Sequence, residues 1–208
     1  MKKKIIGIFI CTLLITTILP ITGTVIAGSE EDPEVEDRIF DVKLFGIFEF
    51  PFQIYFKYAD VVSTWFYENI DNPDYLYVSL KIRDLDAKTD DLEAIYDVDW
   101  SYLNNRYICC VHNNPNGYGP FVIGKSTDGD DNYEDWAICD GTFDVENNII
   151  TWEVPKTAIG DPLIGHKLTS ISPHTHLRLR DDSDLPHMDL FKDLSWNAKT
   201  VKDYRIQC

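Results

Sequence analysis

The sequence predicts an all-β fold, a two-sheet antiparallel β-sandwich of jelly-roll-like form, on three observations. Apolar and polar residues alternate with a period of two in one short segment after another. Clusters of Gly, Pro, Asn and Asp separate these segments. No helical period persists for three turns between residues 39 and 208. Many short strands at this spacing bury their apolar faces only when two sheets pack together.

The chain opens with Lys2, Lys3 and Lys4 and an uncharged run, with Val25 and Ala27 as small residues ahead of a cleavage point, so residues 1–27 read as a secretory signal peptide. The same run is long enough to span a bilayer, which makes an uncleaved N-terminal anchor the alternative. Ile10 ahead of Cys11 is not the small residue that a lipoprotein needs. Residues 28–38, "GSEEDPEVEDR", are acidic and without an apolar period, and read as a flexible leader, with order expected from Ile39 and one sandwich domain over 39–208. Cleavage after Ala27 leaves 208 minus 27, or 181 residues, enough for one self-sufficient core.

The first hairpin spans "TWFYENIDNPDYLYVSLKI", residues 64–82, broken by the polar Asn72, Pro73 and Asp74. After the break Leu76, Val78, Leu80 and Ile82 share a core face, and Tyr75 and Tyr77 share the face that meets water or a ligand. The second hairpin, residues 94–111, sets Tyr96, Val98, Trp100 and Tyr102 on one face and Asp97, Asp99 and Ser101 on the other. A turn at Asn104 and Asn105 would pair Tyr102 with Tyr107 and Trp100 with Cys109, leaving Cys109 inside and Cys110 outside. Further strands are expected near 120–125, 134–140, 148–154, 168–180 and 203–207, with one helical turn between Pro155 and Gly160. Trp100 and Trp152 read as internal.

Removing the three signal lysines takes the formal charge from −16 to −19. Such a surface repels nucleic acid and anionic lipid and leaves cations and neutral ligands as partners, with membrane contact only through the N-terminal segment. Four cysteines remain, Cys109, Cys110, Cys139 and Cys208. In an exported chain they are disulfide candidates with three pairings, of which the adjacent Cys109–Cys110 ring is strained.

In "TDGDDNYED", residues 127–135, Asp128, Asp130, Asn132 and Glu134 fall at alternate positions, an oxygen donor set suited to structural calcium; the competing reading is a solvated acidic loop. In "HTHLRLRDDSD", residues 174–184, His174, His176, Arg178 and Arg180 share one face. Two histidines so spaced suit a metal, with His187 and Asp189 to complete the set, while the arginines favour a plain polar sheet face. The 27 aromatic residues invite carbohydrate stacking, and Tyr118, Tyr133 and Trp196 stand in the polar, turn-like contexts that would expose them. No nucleophile elbow, zinc-protease helix, phosphate loop or dinucleotide fingerprint occurs.

"DVVSTWFYE", "PDYLYVSLKIRDL", "YDVDWSY" and "DGTFDVENNIITWEVPKTAIGDP" resemble, in that order, the strands of secreted archaeal and bacterial β-sandwich domains similar to carbohydrate-binding family 9 and the DOMON-like group. The signal segment looks like those of exported euryarchaeal proteins. In that group an acidic residue precedes an early strand, matching Asp60, a "YLYV" strand follows, matching Tyr75 through Val78, and a late capping segment matches Ile150 through Pro162. The match covers roughly residues 39–170 and lies in strand patterns; the group's sugar-stacking tryptophans find no counterpart here. It implies a sandwich that binds. The expectation is therefore an exported, non-catalytic module for carbohydrate or a cell-surface polymer. The alternatives are a structural or protein-interaction module of the cell envelope and, behind it, an extracellular hydrolase.

Overall fold

The computed structural model describes residues 25–26, 28–44, 48–49, 53–85, 92–114, 117–126, 133–179, 189–194 and 198–208. The signal-peptide segment, apart from Val25 and Ile26, lies outside them. The smaller sheet runs in the order β12 (Asp140–Asp144), β13 (Ile149–Pro155), β6 (Asn72–Ile82), β5 (Val61–Asn69), β2 (Val35–Glu36), β16 (Thr200–Val201), with β1 (Val25–Ile26) also on β5. The larger sheet runs β11 (Glu134–Ile138), β10 (Val122–Ser126), β8 (Asn105–Asn114), β7 (Leu92–Tyr102), β14 (Lys167–Leu179), β15 (Asp189–Leu194), β3 (Lys43–Leu44), β4 (Phe48–Glu49). β9 (Gly117–Tyr118) extends it beside β8, and β17 (Tyr204–Arg205) beside the start of β14. All the pairings are antiparallel, and the fold is a two-sheet sandwich.

The period of two explains the core. Leu76, Val78 and Leu80 of β6, Phe66 of β5 and Ile150 and Trp152 of β13 face Tyr96, Val98 and Trp100 of β7, Tyr107 and Cys109 of β8 and Leu177 of β14, all buried. Phe66 meets Trp100 edge-on, ring centroids 5.4 Å apart, across the space between the sheets. Trp152 donates its indole N–H to the Cys110 carbonyl at 3.2 Å, so its polar atom is satisfied inside the core. Among the described residues no helix is long and apolar enough to cross a membrane.

Several sequence expectations change. The turn of the first hairpin is Ile70–Asp71, with Asn69 opposite Asn72, so Pro73 and Asp74 belong to β6 rather than to the break. Pro73 is tolerated because β13 pairs only with residues 75–81 of that strand. In the second hairpin Tyr102 pairs with Asn105, Trp100 with Tyr107 and Val98 with Cys109. This is a slip of two from the expected register, and Leu103 takes the left-handed turn position at φ 54° in place of an asparagine. A slip of two keeps every side chain on its face, so alternation cannot detect it; the chosen register stacks Trp100 against Tyr107 at 6.1 Å. Cys109 is inside as expected. Cys110 is on the outer face but buried.

The expected strand at 134–140 is two. β11 pairs with β10 in the larger sheet and β12 with β13 in the smaller, and the chain changes sheets at the buried Cys139, whose N–H bonds the Phe121 carbonyl. The acidic stretch 28–38 contributes β2, whose Val35 is buried, so the smaller sheet starts before Ile39. Cys109, Cys110, Cys139 and Cys208 are all free thiols, so none of the expected disulfides forms among the described residues. Three of them are buried, and burial pushes the Cys109, Cys110 and Cys139 thiols up, Cys139 to about 11. The helical turn is a 3-10 turn over Lys156–Ile159, entered at Pro155 and closed by Gly160 in the left-handed region, as its two end residues predict.

Candidate binding face and cation sites

The outer face of the larger sheet carries the polar alternates of its strands. Asp97 on β7 stands between Cys110 on β8 and His174 on β14, and Asp99 lies opposite Ile108. Outward polar residues on central strands belong in water, yet Asp97 and Asp99 are buried. Their compensation is cationic or hydrogen-bonding. Arg106 donates to Asp99 Oδ1 at 2.6 Å. His174 turns Nδ1 to Asp99 Oδ2 at 3.5 Å and Nε2 to Asp97 Oδ2 at 3.7 Å, and His176 Nε2 lies 3.5 Å from the same Asp97 oxygen. Burial holds His174 below the usual histidine range even though both aspartates pull it up. Burial raises Asp99, against the pull of His174 and Arg106.

At the edge of this face Trp136 on β11 lies over Gly124, where a Cβ would come within 2.9 Å of the indole. Only a glycine lets the ring lie so close to the β10 backbone. The indole N–H donates to the Tyr133 carbonyl at 3.1 Å and fixes the ring, whose other side leaves Trp136 51% exposed. Tyr133 sits 6.2 Å from it, centroid to centroid, and the Arg106 guanidinium lies 6.0 Å from the Tyr133 ring. Arg106 therefore connects the aromatic edge to the Asp99–His174 cluster.

Of the expected ligand residues, Tyr133 belongs to this edge. Tyr118 is partly exposed but stacks on Phe143 at 3.5 Å, which engages one ring face in closing the sandwich seam. Trp196 lies outside the described residues. So do Asp128, Asp130 and Asn132 of the calcium loop, while Glu134 is an exposed residue of β11. Arg180 and His187 also lie outside, and Asp189 enters β15 opposite Arg178. Tyr75 and Tyr77 are half-buried, Tyr77 stacked on Tyr67 at 4.8 Å. Tyr75 lines an open cleft of about 650 Å³ with Pro155, Lys156, Thr157 and Leu163. The opening hairpin is therefore chiefly a core wall with a tyrosine rim.

The sequence reading missed Trp136 as an exposed ring and Asp97 as a partner of the histidines. Alternate acids on β7 and alternate histidines on β14 were visible; that the two strands are neighbours was not.

A second cluster lies where the chain enters β3 and β5 beside β15. Asp41, Asp60 and Asp193 bring carboxylate oxygens within 4.8 Å of one another. Asp60 accepts the Phe40 N–H and the Arg83 guanidinium, and Asp193 Oδ2 accepts the Val61 N–H at 2.7 Å, but Asp193 Oδ1 is buried without a hydrogen-bond partner. Burial, reinforced by neighbouring carboxylates, pushes Asp193 up to about 9 and nearby Asp37 up to about 7. An oxygen-only donor set with an orphaned buried oxygen suits a hard cation such as calcium.

No family model, curated protein or solved structure matches this chain.

Proposed function

We propose that the chain is an exported, non-catalytic binding module for carbohydrate or a similar cell-surface polymer, seated on the outer face of the larger sheet. The observation that supports this reading best is Trp136, a flat indole seated on a glycine, pinned by its own N–H and half open, with Tyr133 and Arg106 alongside. A sugar ring stacks its C–H face on such a surface, and its hydroxyls reach nearby charged groups. Three strand spacings, about 14 Å, separate the strand of Trp136 from that of Asp99, room for an extended polymer rather than a single small molecule. Any membrane attachment is through the N-terminal segment. Structural calcium is the cofactor of this reading, with Asp41, Asp60 and Asp193 as donors in addition to the acidic loop 127–135.

Glycan arrays and affinity electrophoresis on insoluble polysaccharides test the reading. Wild-type protein binds, and Trp136→Ala abolishes binding at unchanged Tm. A second reading, a protein-interaction module of the envelope, draws on Ile138, 78% exposed beside Trp136 on the outermost strand of the sheet. Silence on every glycan, with recovery of a protein partner that Trp136→Ala or Ile138→Ala releases, selects that reading instead.

A further inference from the structure

We propose that Asp97, His174 and His176 form a binding site for a borderline-soft divalent metal ion of the zinc class on the outer face of the larger sheet. Asp97 Oδ2, His174 Nε2 and His176 Nε2 are the donors. One oxygen faces both ring nitrogens, at 3.7 and 3.5 Å. All three donor atoms lie within 4.8 Å of one another.

These separations decide between a metal site and ordinary ion pairing. Charge-assisted N–H···O bonds draw to about 2.7–2.9 Å, as Arg106 to Asp99 does at 2.6 Å in the same cluster. The His–Asp97 contacts stay well outside that range. With metal–ligand bonds of about 2.0–2.1 Å, two donors on a tetrahedral ion stand about 3.3–3.4 Å apart. A few tenths of an ångström of contraction therefore brings each histidine nitrogen to ligand–ligand distance from the Asp97 oxygen, and the two nitrogens, within 4.8 Å of each other, close on the same ion by turning their rings. Asp97 is buried, and its other oxygen, Oδ1, has no hydrogen-bond partner, so the carboxylate has unspent charge at this point.

The surroundings resemble the outer sphere of a metal site. His174 turns its second nitrogen towards Asp99 at 3.5 Å, and Asp99 is held by Arg106, which places a carboxylate where the outer-sphere partner of a ligating histidine stands. The nearby cations do not bar the site. Arg106 is bound to Asp99, and Arg178 stands opposite Glu93 in register. Imidazole nitrogens select zinc-class ions over calcium, whereas the all-oxygen set at Asp41, Asp60 and Asp193 has the opposite preference. The fold also explains the convergence. His174 and His176 are two apart on β14 and so project on one face, and register places Asp97 between them and β8.

The protein, purified without a histidine tag and stripped with a strong chelator, is titrated with Zn²⁺ by calorimetry and with Co²⁺ by visible absorption. The expected result is saturable uptake of one equivalent, with cobalt giving the strong d–d bands of a low-coordinate nitrogen–oxygen site, and no competition from excess Ca²⁺. An outer-shell partner of a metal is worth about 10–100-fold in affinity. Asp99→Asn should therefore weaken binding within that range, and His174→Gln or His176→Gln by at least its upper end. The metal-free Tm of each variant reports whether β14 is intact. Asp99→Asn leaves all three donors in place and serves if a histidine variant does not fold. Lack of saturable uptake by the wild type overturns the proposal, as does uptake that folded His174→Gln and His176→Gln leave unchanged or an Asp99→Asn protein that matches wild type in both affinity and cobalt spectrum.

Discussion

Glu68, near the end of β5, is fully buried and gathers the C-terminus. It accepts the Tyr204 hydroxyl at 3.0 Å and the Gln207 N–H at 2.6 Å, and it pairs with Lys156 Nζ at 2.5 Å. Removing one partner of a buried, hydrogen-bonded ion pair strands the other charge, so Glu68→Ala should cost about 3–5 kcal/mol, read from urea unfolding. Lys167 and Asp203 sit at a comparable 2.9 Å but are half exposed; Lys167→Ala should cost less than about 1 kcal/mol in the same assay. Equal losses would show that burial does not set the difference. The sequence made some residues legible and hid others for one reason. Trp100, Trp152 and Cys109 are internal by local alternation, as read. Glu68, beside Asn69, looks like a solvated strand end, and becomes core only because the chain returns 136 residues later to meet it. Asp97 and His174 depend in the same way on neighbouring strands far apart in the sequence.

At the scale of elements, the sequence carried strand existence well and strand pairing poorly. Most strand centres fell where alternation placed them, as did the 3-10 turn between Pro155 and Gly160. The register of the β7–β8 hairpin did not, since a slip of two leaves every side chain on its face, nor did the change of sheet at Cys139, which is decided by pairing with strands on both sheets rather than by period. Two glycines distinguish the exposed Trp136 edge from the core. A Cβ at Gly124 would press on the exposed indole of Trp136, which has solvent to move into. Gly124→Ala should therefore red-shift Trp136 fluorescence and reduce polymer binding towards the Trp136→Ala level, with Tm nearly unchanged. A Cβ at Gly141 would stand 2.3 Å from the ring of Phe121, which packs against the core. Overpacking of this kind costs about 1–3 kcal/mol, so Gly141→Ala should lower Tm and spare binding by whatever protein stays folded. Were Gly124→Ala to bind as wild type does, the seating of Trp136 would be irrelevant to the ligand.

Over the whole molecule, an acidic chain has buried carboxylates at the seam of its sheets, and this couples stability to protons. Burial raises Asp193 to about 9, and Asp37 and Glu34 to about 7 each. A carboxyl raised on folding holds its proton in the native state after the unfolded chain has released it. Its contribution to stability is complete below the unfolded value, near 4, and is lost as pH climbs through the folded value. His174, held low by burial, acts in the opposite sense on the acid side of its usual 6.5. In chelator the Tm should therefore fall between about pH 5 and about pH 9, with the last part of the decline belonging to Asp193. General repulsion among surface acids also lowers Tm with rising pH, but it does not reside in one residue, so Asp193→Asn should flatten the segment above neutrality and leave a shallower earlier decline carried by Asp37 and Glu34. Calcium should raise the wild-type Tm most at alkaline pH, where the cation takes the place of the departed protons, and raise that of Asp193→Asn much less. A wild-type Tm in chelator that is level or rising across this range would mean that these carboxyls are not titrating in a buried seam. A calcium effect of equal size in Asp193→Asn would place the cation elsewhere on the chain.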